Sequence, residues 1–81
     1  MTRIRVTIIG AAGRMGRRLT ALVGESQDMA LAGAIDVAAS PVLGTDAGIL
    51  AGIAPAGVKI SADLDAALRV SDAVINFSTA G

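Results

Sequence analysis

The sequence contains no cysteine and no histidine, and it has one aromatic residue, Phe77. These absences exclude disulfide bonds, thiolate or imidazole metal ligands, Cys-based or Ser-His nucleophiles and histidine acid–base chemistry. No apolar run reaches the length of a membrane-spanning helix, and the segment 1–10 is too short and too interrupted by arginine to form a signal peptide. We therefore expect a cytoplasmic chain without membrane contact, catalytic residues or a metal site.

The hydrophobic residues are mostly small and aliphatic. They make up 53% of the 81 residues, and most of them are Ala, Val, Ile and Leu. A chain of this length forms one small domain or part of a larger one. Such side chains suit buried parallel strands that pack closely against helices. The composition therefore predicts at most one domain with a core of small aliphatic side chains.

The formal net charge is zero, but the charges are unevenly distributed. Five arginines and no acid lie in the first eighteen residues, and all seven acids follow. Extended nucleic-acid binding usually brings a basic excess over the whole domain or aromatic stacking platforms, and this sequence has neither. We expect a local anion site and no nucleic-acid partner, although Arg17 and Arg18 fit a solvated helix face equally well.

The first half of the chain has the pattern of a strand, a helix and a second strand. Apolar residues alternate from Ile4 to Ile9 and predict a strand that stops at a glycine. A second alternating segment, Met29 to Ile35, predicts another strand that ends at Asp36. Between them the period becomes helical, with one predicted apolar face made of Met15, Leu19, Leu22 and Val23.

The second half repeats the alternation of strands and helices. The segment 37–57 is rich in Gly, Ala and Pro and too long for a plain loop, so we interpret it as functional or partly helical. Residues 58–61 and 72–78 predict two further strands, and 63–70 predicts a short helix with acids at its start. This order indicates a parallel sheet with right-handed crossovers.

Three glycines mark the junction of the first strand and the first helix. Where a buried parallel strand turns directly into a helix, the first helical N–H groups and the helix dipole together favour a bound phosphate. Gly10 permits the tight turn, Gly13 lets a pyrophosphate approach the backbone, and Gly16 lets the helix lie close to the sheet. The spacing is GxxGxxG and not GxGxxG, so a turn that only joins strand to helix is the alternative interpretation.

An acid at the end of the second strand completes a nucleotide-site pattern. Asp36 lies 20 residues after Gly16, where a carboxylate can accept both hydroxyls of an adenosine ribose. Its alternative role is that of a turn former or a cap. Val37 offers no charge to a 2′-phosphate, so NADH is favoured, with NADPH possible through Arg14 or another cation. The pattern predicts an α/β Rossmann-type parallel sheet with βαβ units, as the front half of a dinucleotide-binding domain.

Three segments carry a resemblance to a known family. They read GAAGRMGR at 10–17, VLGTDAGILAG at 42–52 and DAVINFS at 72–78. With the strand before the first of them, they resemble the amino-terminal part of the 4-hydroxy-tetrahydrodipicolinate reductase family of bacterial lysine and diaminopimelate biosynthesis. The resemblance spans essentially the whole chain. GRMGR and GTDAG are its specific pieces, because a generic dinucleotide-binding domain has no reason to carry both.

The resemblance implies a set of cofactor-binding residues. The acid after the second strand, commonly Glu in the family, corresponds to Asp36, and Phe77 corresponds to a position on the adenosine side or is the lone aromatic of a small core. Many members carry Arg where this chain has Val37 and use both nicotinamide cofactors. The glycine turn that holds the cofactor corresponds to Gly10, Ala11, Ala12, Gly13, Arg14, Met15 and Gly16.

The resemblance also implies a larger enzyme. Residues 1–81 would form an incomplete dinucleotide-binding domain, while the His-rich motif, the Lys and the carboxylate-binding segment of the substrate domain lie outside this chain. The implied reaction is hydride transfer from the nicotinamide to a cyclic, unsaturated dicarboxylate, in a homotetramer. Two alternatives remain open. One is another dehydrogenase, acting on aspartate, homoserine or a sugar, against which GTDAG argues; the other is a non-catalytic dinucleotide-sensing or interaction module.

Overall fold

Strands and helices alternate along the chain in the computed structural model, which describes residues 3–76. Among these residues the strands form one parallel sheet in the order β3-β2-β1-β4. This architecture confirms the predicted Rossmann-type α/β fold. The elements are β1 (Ile4–Ile9), α1 (Arg14–Glu25), β2 (Met29–Ile35), α2 (Ala47–Leu50), β3 (Ile60–Ser61), α3 (Leu64–Arg69) and β4 (Ala73–Asn76).

The strand order reverses at β1. The chain runs outward from β1 to β2 and β3, and then returns to place β4 on the other side of β1. Since all the pairings are parallel, the carboxyl ends of β1, β2 and β4 lie at the same edge of the sheet. Open α/β sheets bind ligands at this edge, next to the strand where the order reverses. The residues that follow Ile9 and Ile35 are therefore the ones best placed to form a site.

The two faces of the sheet pack against different helices. Thr7 is fully buried against α3, where its hydroxyl hydrogen-bonds the hydroxyl of Ser71. A Cβ on Gly33 would lie 2.7 Å from the Cβ of Ala67 on α3, so α3 sits very close to this face. On the opposite face, small aliphatic side chains form the core beneath α1 and α2, as the composition predicts. The cluster consists of Val6, Ile8, Ala11, Val23, Ala34, Ala47 and Ile60.

The buried face of α1 differs from the predicted one. Met15 and Leu22 are 50% and 53% exposed, whereas the buried residues of the helix are Gly16, Thr20 and Val23. The helix is rotated so that Gly16 faces the preceding turn, where no larger residue fits. Thr20 tolerates burial because its hydroxyl donates to the Gly16 carbonyl over 2.8 Å. The assignment of Met15 and Leu22 to the buried face was wrong, since hydrophobicity alone ignores how closely the helix approaches the sheet.

The segment 37–57 is partly helical and is organised by one carboxylate. Asp46 caps the single turn of α2: its Oδ1 accepts hydrogen bonds from the N–H groups of Gly48, Ile49 and Ala56 over 2.8, 3.1 and 2.9 Å. Its Oδ2 accepts from the N–H of Gly57 over 2.8 Å. These bonds, led by that from Ala56, hold the pKa of the Asp46 carboxyl below its usual value.

The same segment shortens the third strand. Residues 58–61 predict a strand, but only Ile60–Ser61 pair with β2. The Val58 carbonyl accepts from the Ala47 N–H over 2.7 Å. The backbones of Lys59 and Asp46 form an isolated antiparallel β-bridge. The backbone before Ile60 is thus bonded to the connection and not to the sheet. GTDAG, at 44–48, is therefore a structural unit docked beside β3.

The last predicted elements agree in type and order. α3 begins after Asp63, whose side chain accepts from the Ala66 N–H over 3.1 Å. β4 covers Ala73–Asn76 of the predicted 72–78, and 77–78 lie outside the described residues. Within residues 3–76, no helix is long and apolar enough to cross a membrane.

The close packing of α1 on the glycine turn predicts that alanine substitution destabilises the protein at Gly16 but not at Gly13. A Cβ at Gly16 would lie 2.1 Å from the Gly10 carbonyl oxygen and 2.7 Å from the Ala11 Cα. Gly16→Ala should therefore lower the free energy of unfolding by about 1–3 kcal/mol. At Gly13 the nearest atom is 3.4 Å from the Cβ position and φ is −76°. Gly13→Ala should leave stability within about 0.5 kcal/mol.

Urea denaturation of both variants beside the unchanged protein measures this contrast. Equal stabilities for Gly16→Ala and Gly13→Ala would contradict the close packing of α1 on the turn.

Candidate functional site

The glycine turn is fixed to the end of the neighbouring strand. Gly10 has a φ of +85°, the left-handed region that favours glycine. The N–H groups of Gly10 and Ala11 both donate to the Ile35 carbonyl, over 2.8 and 3.0 Å. The Gly13 N–H then donates back to the Gly10 carbonyl over 3.1 Å. The turn between β1 and α1 is therefore held by its own backbone and by β2.

The first turn of α1 supplies no anion of its own to the amino terminus of the helix. Gly13 is the N-cap, so no side chain caps the helix, and the first turn contains no acid. The partial positive charge of the helix end is thus not neutralised by residues of this turn. Gly13 is exposed, and the fold leaves room for a Cβ there. Neither packing nor backbone conformation therefore requires glycine at this position.

An open groove lies beside the amino-terminal half of α1. Its volume is about 510 Å³. The guanidinium groups along it are exposed, and none of them forms an ion pair within residues 3–76. Its positive charge is therefore available to an anion. We call it the arginine groove, and it is lined by Arg14, Met15, Arg17, Arg18, Leu50 and Ala51.

Asp36 lies beside the glycine turn, directly after β2. Its Oδ2 accepts the Ala12 N–H over 2.9 Å and its Oδ1 accepts the Val37 N–H over 2.8 Å. The half-buried carboxylate thus holds the turn, which is the structural role left open by the sequence. Each carboxylate oxygen can accept more than one hydrogen bond, so the same group retains acceptor capacity for a ligand hydroxyl.

The sequence-predicted site residues come together at one edge of the sheet. The residues 10–16 and Asp36 meet there, although Ala11 is buried in the core and offers only its backbone to the surface. Phe77 lies outside the described residues. Val37 is 63% exposed and uncharged beside Asp36. Within residues 3–76, no group of three or more His, Cys, Asp or Glu side chains could hold a metal ion.

Sequence reasoning missed the opposite wall of the groove. Leu50 and Ala51 are apolar residues in a segment without clear periodicity, and nothing in their identity points to α1. The signal that was available is Asp46, an N-cap residue followed by small residues that can form a helical turn.

The parallel sheet, the glycine turn and the acid after β2 place this chain in the class of Rossmann-type α/β domains. A family model described as "Dihydrodipicolinate reductase, N-terminus" matches residues 4–81, and the chain belongs to this family. The resemblance inferred from GRMGR and GTDAG is thereby confirmed.

Individual relatives agree with the family match. The chain is 48% identical over 75 residues to a 4-hydroxy-tetrahydrodipicolinate reductase of Syntrophotalea carbinolica, covering 93% of this chain and 28% of the relative. It is 45% identical over 78 residues to the enzyme of that name from Bradyrhizobium diazoefficiens, covering 96% of this chain and 29% of the relative. The chain thus spans less than a third of the length of these relatives.

The hydrogen bonds of Asp36 predict that it contributes to folding as well as to any ligand contact. Asp36→Ala leaves the Ala12 N–H without its acceptor, which should lower the free energy of unfolding by about 1–3 kcal/mol in the absence of ligand. Asp28→Ala is the matched control, because the exposed Asp28 carboxylate accepts no hydrogen bond from any of residues 3–76. Urea denaturation of both variants checks this, and equal stabilities would assign Asp36 no part in holding the turn.

Proposed function

We propose that this chain is the nicotinamide-nucleotide-binding part of a longer reductase that reduces 4-hydroxy-tetrahydrodipicolinate in lysine and diaminopimelate biosynthesis. The observation that carries the nucleotide assignment is the uncapped amino terminus of α1 at Gly13, where packing leaves room for a Cβ. The family match and the names of the relatives support the reaction. They also favour this reductase over a dehydrogenase of aspartate, homoserine or a sugar.

The residues of the turn fit a dinucleotide. Backbone N–H groups at the start of α1 would bind the pyrophosphate, which can approach closely because Gly13 has no side chain. Arg14, on the arginine groove, adds positive charge next to these N–H groups. Asp36 would accept hydrogen bonds from the adenosine ribose. The bound nicotinamide supplies the hydride, and this chain contributes binding and orientation.

The proton chemistry belongs to a different part of the enzyme in this proposal. The chain has no histidine and no cysteine, and its one lysine, Lys59, directly precedes β3 and pairs through its backbone with Asp46. Residues 1–81 would therefore form an incomplete dinucleotide-binding domain, with the substrate domain elsewhere in the protein. The proposal also includes a dicarboxylate substrate, a homotetramer and a cytoplasmic location.

An assay of the full-length protein tests the reaction and the site together. NADH should be oxidised only when 4-hydroxy-tetrahydrodipicolinate is supplied, and Gly13→Val should abolish NADH binding because its side chain occupies the path of the pyrophosphate. Calorimetry measures binding, and circular dichroism confirms that the variant is folded.

Turnover on aspartate, homoserine or a sugar in place of the dicarboxylate would favour the other dehydrogenase. Tight NADH binding with no turnover of any of them would favour a sensing module, and unchanged affinity in Gly13→Val would overturn the site.

Cofactor preference follows from the two residues after β2. Asp36 repels a 2′-phosphate, and Val37 supplies no compensating charge. A charge-assisted pair is worth about 1.5–3 kcal/mol, so NADH should be preferred by roughly tenfold or more. Val37→Arg should reduce the preference for NADH over NADPH. This reduction should become smaller as the salt concentration rises, since position 37 is exposed.

The ratio of kcat/KM for the two cofactors measures this preference, with Val37→Gln as an uncharged control of similar length. An outright preference of the unchanged protein for NADPH would mean that another cation, such as Arg14, binds the phosphate.

A further inference from the structure

Asp46 lies outside the glycine turn, yet it organises the residues that line the arginine groove opposite the arginines of α1. We propose that Asp46 is a positioning residue of the nucleotide site: it holds Leu50 and Ala51 in place as the wall of the arginine groove opposite α1. The inference rests on the proposed function, because it assigns GTDAG a part in nucleotide affinity.

The carboxylate of Asp46 closes a loop. It accepts N–H groups from Gly48 and Ile49 on one side and from Ala56 and Gly57 on the other, all within 3.1 Å. The last two residues lie 10 and 11 positions away in the sequence. One side chain therefore ties the start of α2 to the end of the connection, and hydrogen bonds to a charged acceptor are stronger than neutral ones.

The loop that Asp46 closes is tightly packed. A Cβ on Gly48 would lie 2.3 Å from the Ala54 carbonyl oxygen and 2.7 Å from the Ala56 nitrogen. Ala47 is buried in the core beneath α2. Ile53 reaches α1, where its Cδ1 is 2.6 Å from the position of a Cβ on Gly24. The loop is thus packed on itself, on the sheet and on the first helix.

The groove wall is connected to this loop within one helical turn. The N–H groups of Leu50 and Ala51 donate to the carbonyls of Asp46 and Ala47, both over 3.0 Å. Loss of the carboxylate leaves the N–H groups at 56 and 57 without an acceptor and frees the far end of the loop. The apolar wall at Leu50 and Ala51 then moves relative to the arginines that line the groove on α1.

Three variants of the full-length protein test this role. Asp46→Ala removes all four hydrogen bonds. Asp46→Asn keeps an oxygen for the three N–H groups on Oδ1 but sets its amide against the Gly57 N–H. Asp63→Ala is the matched control: Asp63 also caps a short helix, but α3 packs on the opposite face of the sheet.

NADH affinity is measured by calorimetry, and KM and kcat by steady-state assay, at a temperature where circular dichroism shows each variant folded. Asp46→Ala should raise the Kd and KM for NADH about three- to tenfold, because the groove wall is then slightly misplaced relative to α1. Asp46→Asn should raise them about twofold, and kcat should stay within about twofold in both. Asp63→Ala should be destabilised with an unchanged Kd.

The outcomes separate the two proposals. Unchanged NADH affinity in Asp46→Ala would overturn the positioning role while leaving the nucleotide site intact. Should Asp46→Ala fail to fold, Asp46→Asn decides, and an affinity equal to that of the unchanged protein overturns the role. A Kd raised equally by Asp63→Ala would also overturn it, since general destabilisation would then be the cause. Absence of NADH binding in the unchanged protein would overturn the proposed function and this inference together.

Discussion

The contact between Gly16 and the Gly10–Ala11 backbone is the constraint on which the rest of the structure depends. Because the helix touches the turn with no intervening side chain, the amino terminus of α1 lies directly over the carboxyl ends of β1 and β2. That placement brings the uncapped helix end next to Asp36 and sets which residues of α1 are buried. The core can then be built from small aliphatic side chains, since nothing holds the layers apart.

Much of this arrangement was predictable from the sequence because it is local. The alternating strands, the glycine spacing and the acid after the second strand each depend on a few neighbouring residues. Parallel strands then bring Gly10 and Asp36 to the same edge without any long-range information. The buried face of α1 was predictable only in part. Met15 and Leu22 have the hydrophobicity of core residues, but the approach of the helix at Gly16 turns them outward.

The structure of the segment 37–57 could not be predicted in detail from the sequence. Its Gly, Ala and Pro residues have no clear period, and its structure depends on hydrogen bonds that the Asp46 carboxylate accepts from backbone N–H groups 10 and 11 positions away. Such bonds leave no repeating pattern in the sequence. The third strand was consequently predicted too long, because the Val58 carbonyl bonds to Ala47 at the start of α2, a partner that no local pattern identifies. The groove wall at Leu50 and Ala51 depends on the same long-range contacts.

The hydrogen bonds that Asp36 accepts have a consequence for protein engineering. A designer who wishes to convert a nicotinamide-binding domain from one cofactor to the other usually treats the acid after the second strand as a replaceable surface charge. In this chain that acid also accepts the Ala12 and Val37 N–H groups, so a basic replacement would remove an acceptor from the turn as it removes the charge. A successful redesign would keep a short side chain with an acceptor at position 36 and place new positive charge at neighbouring exposed positions instead.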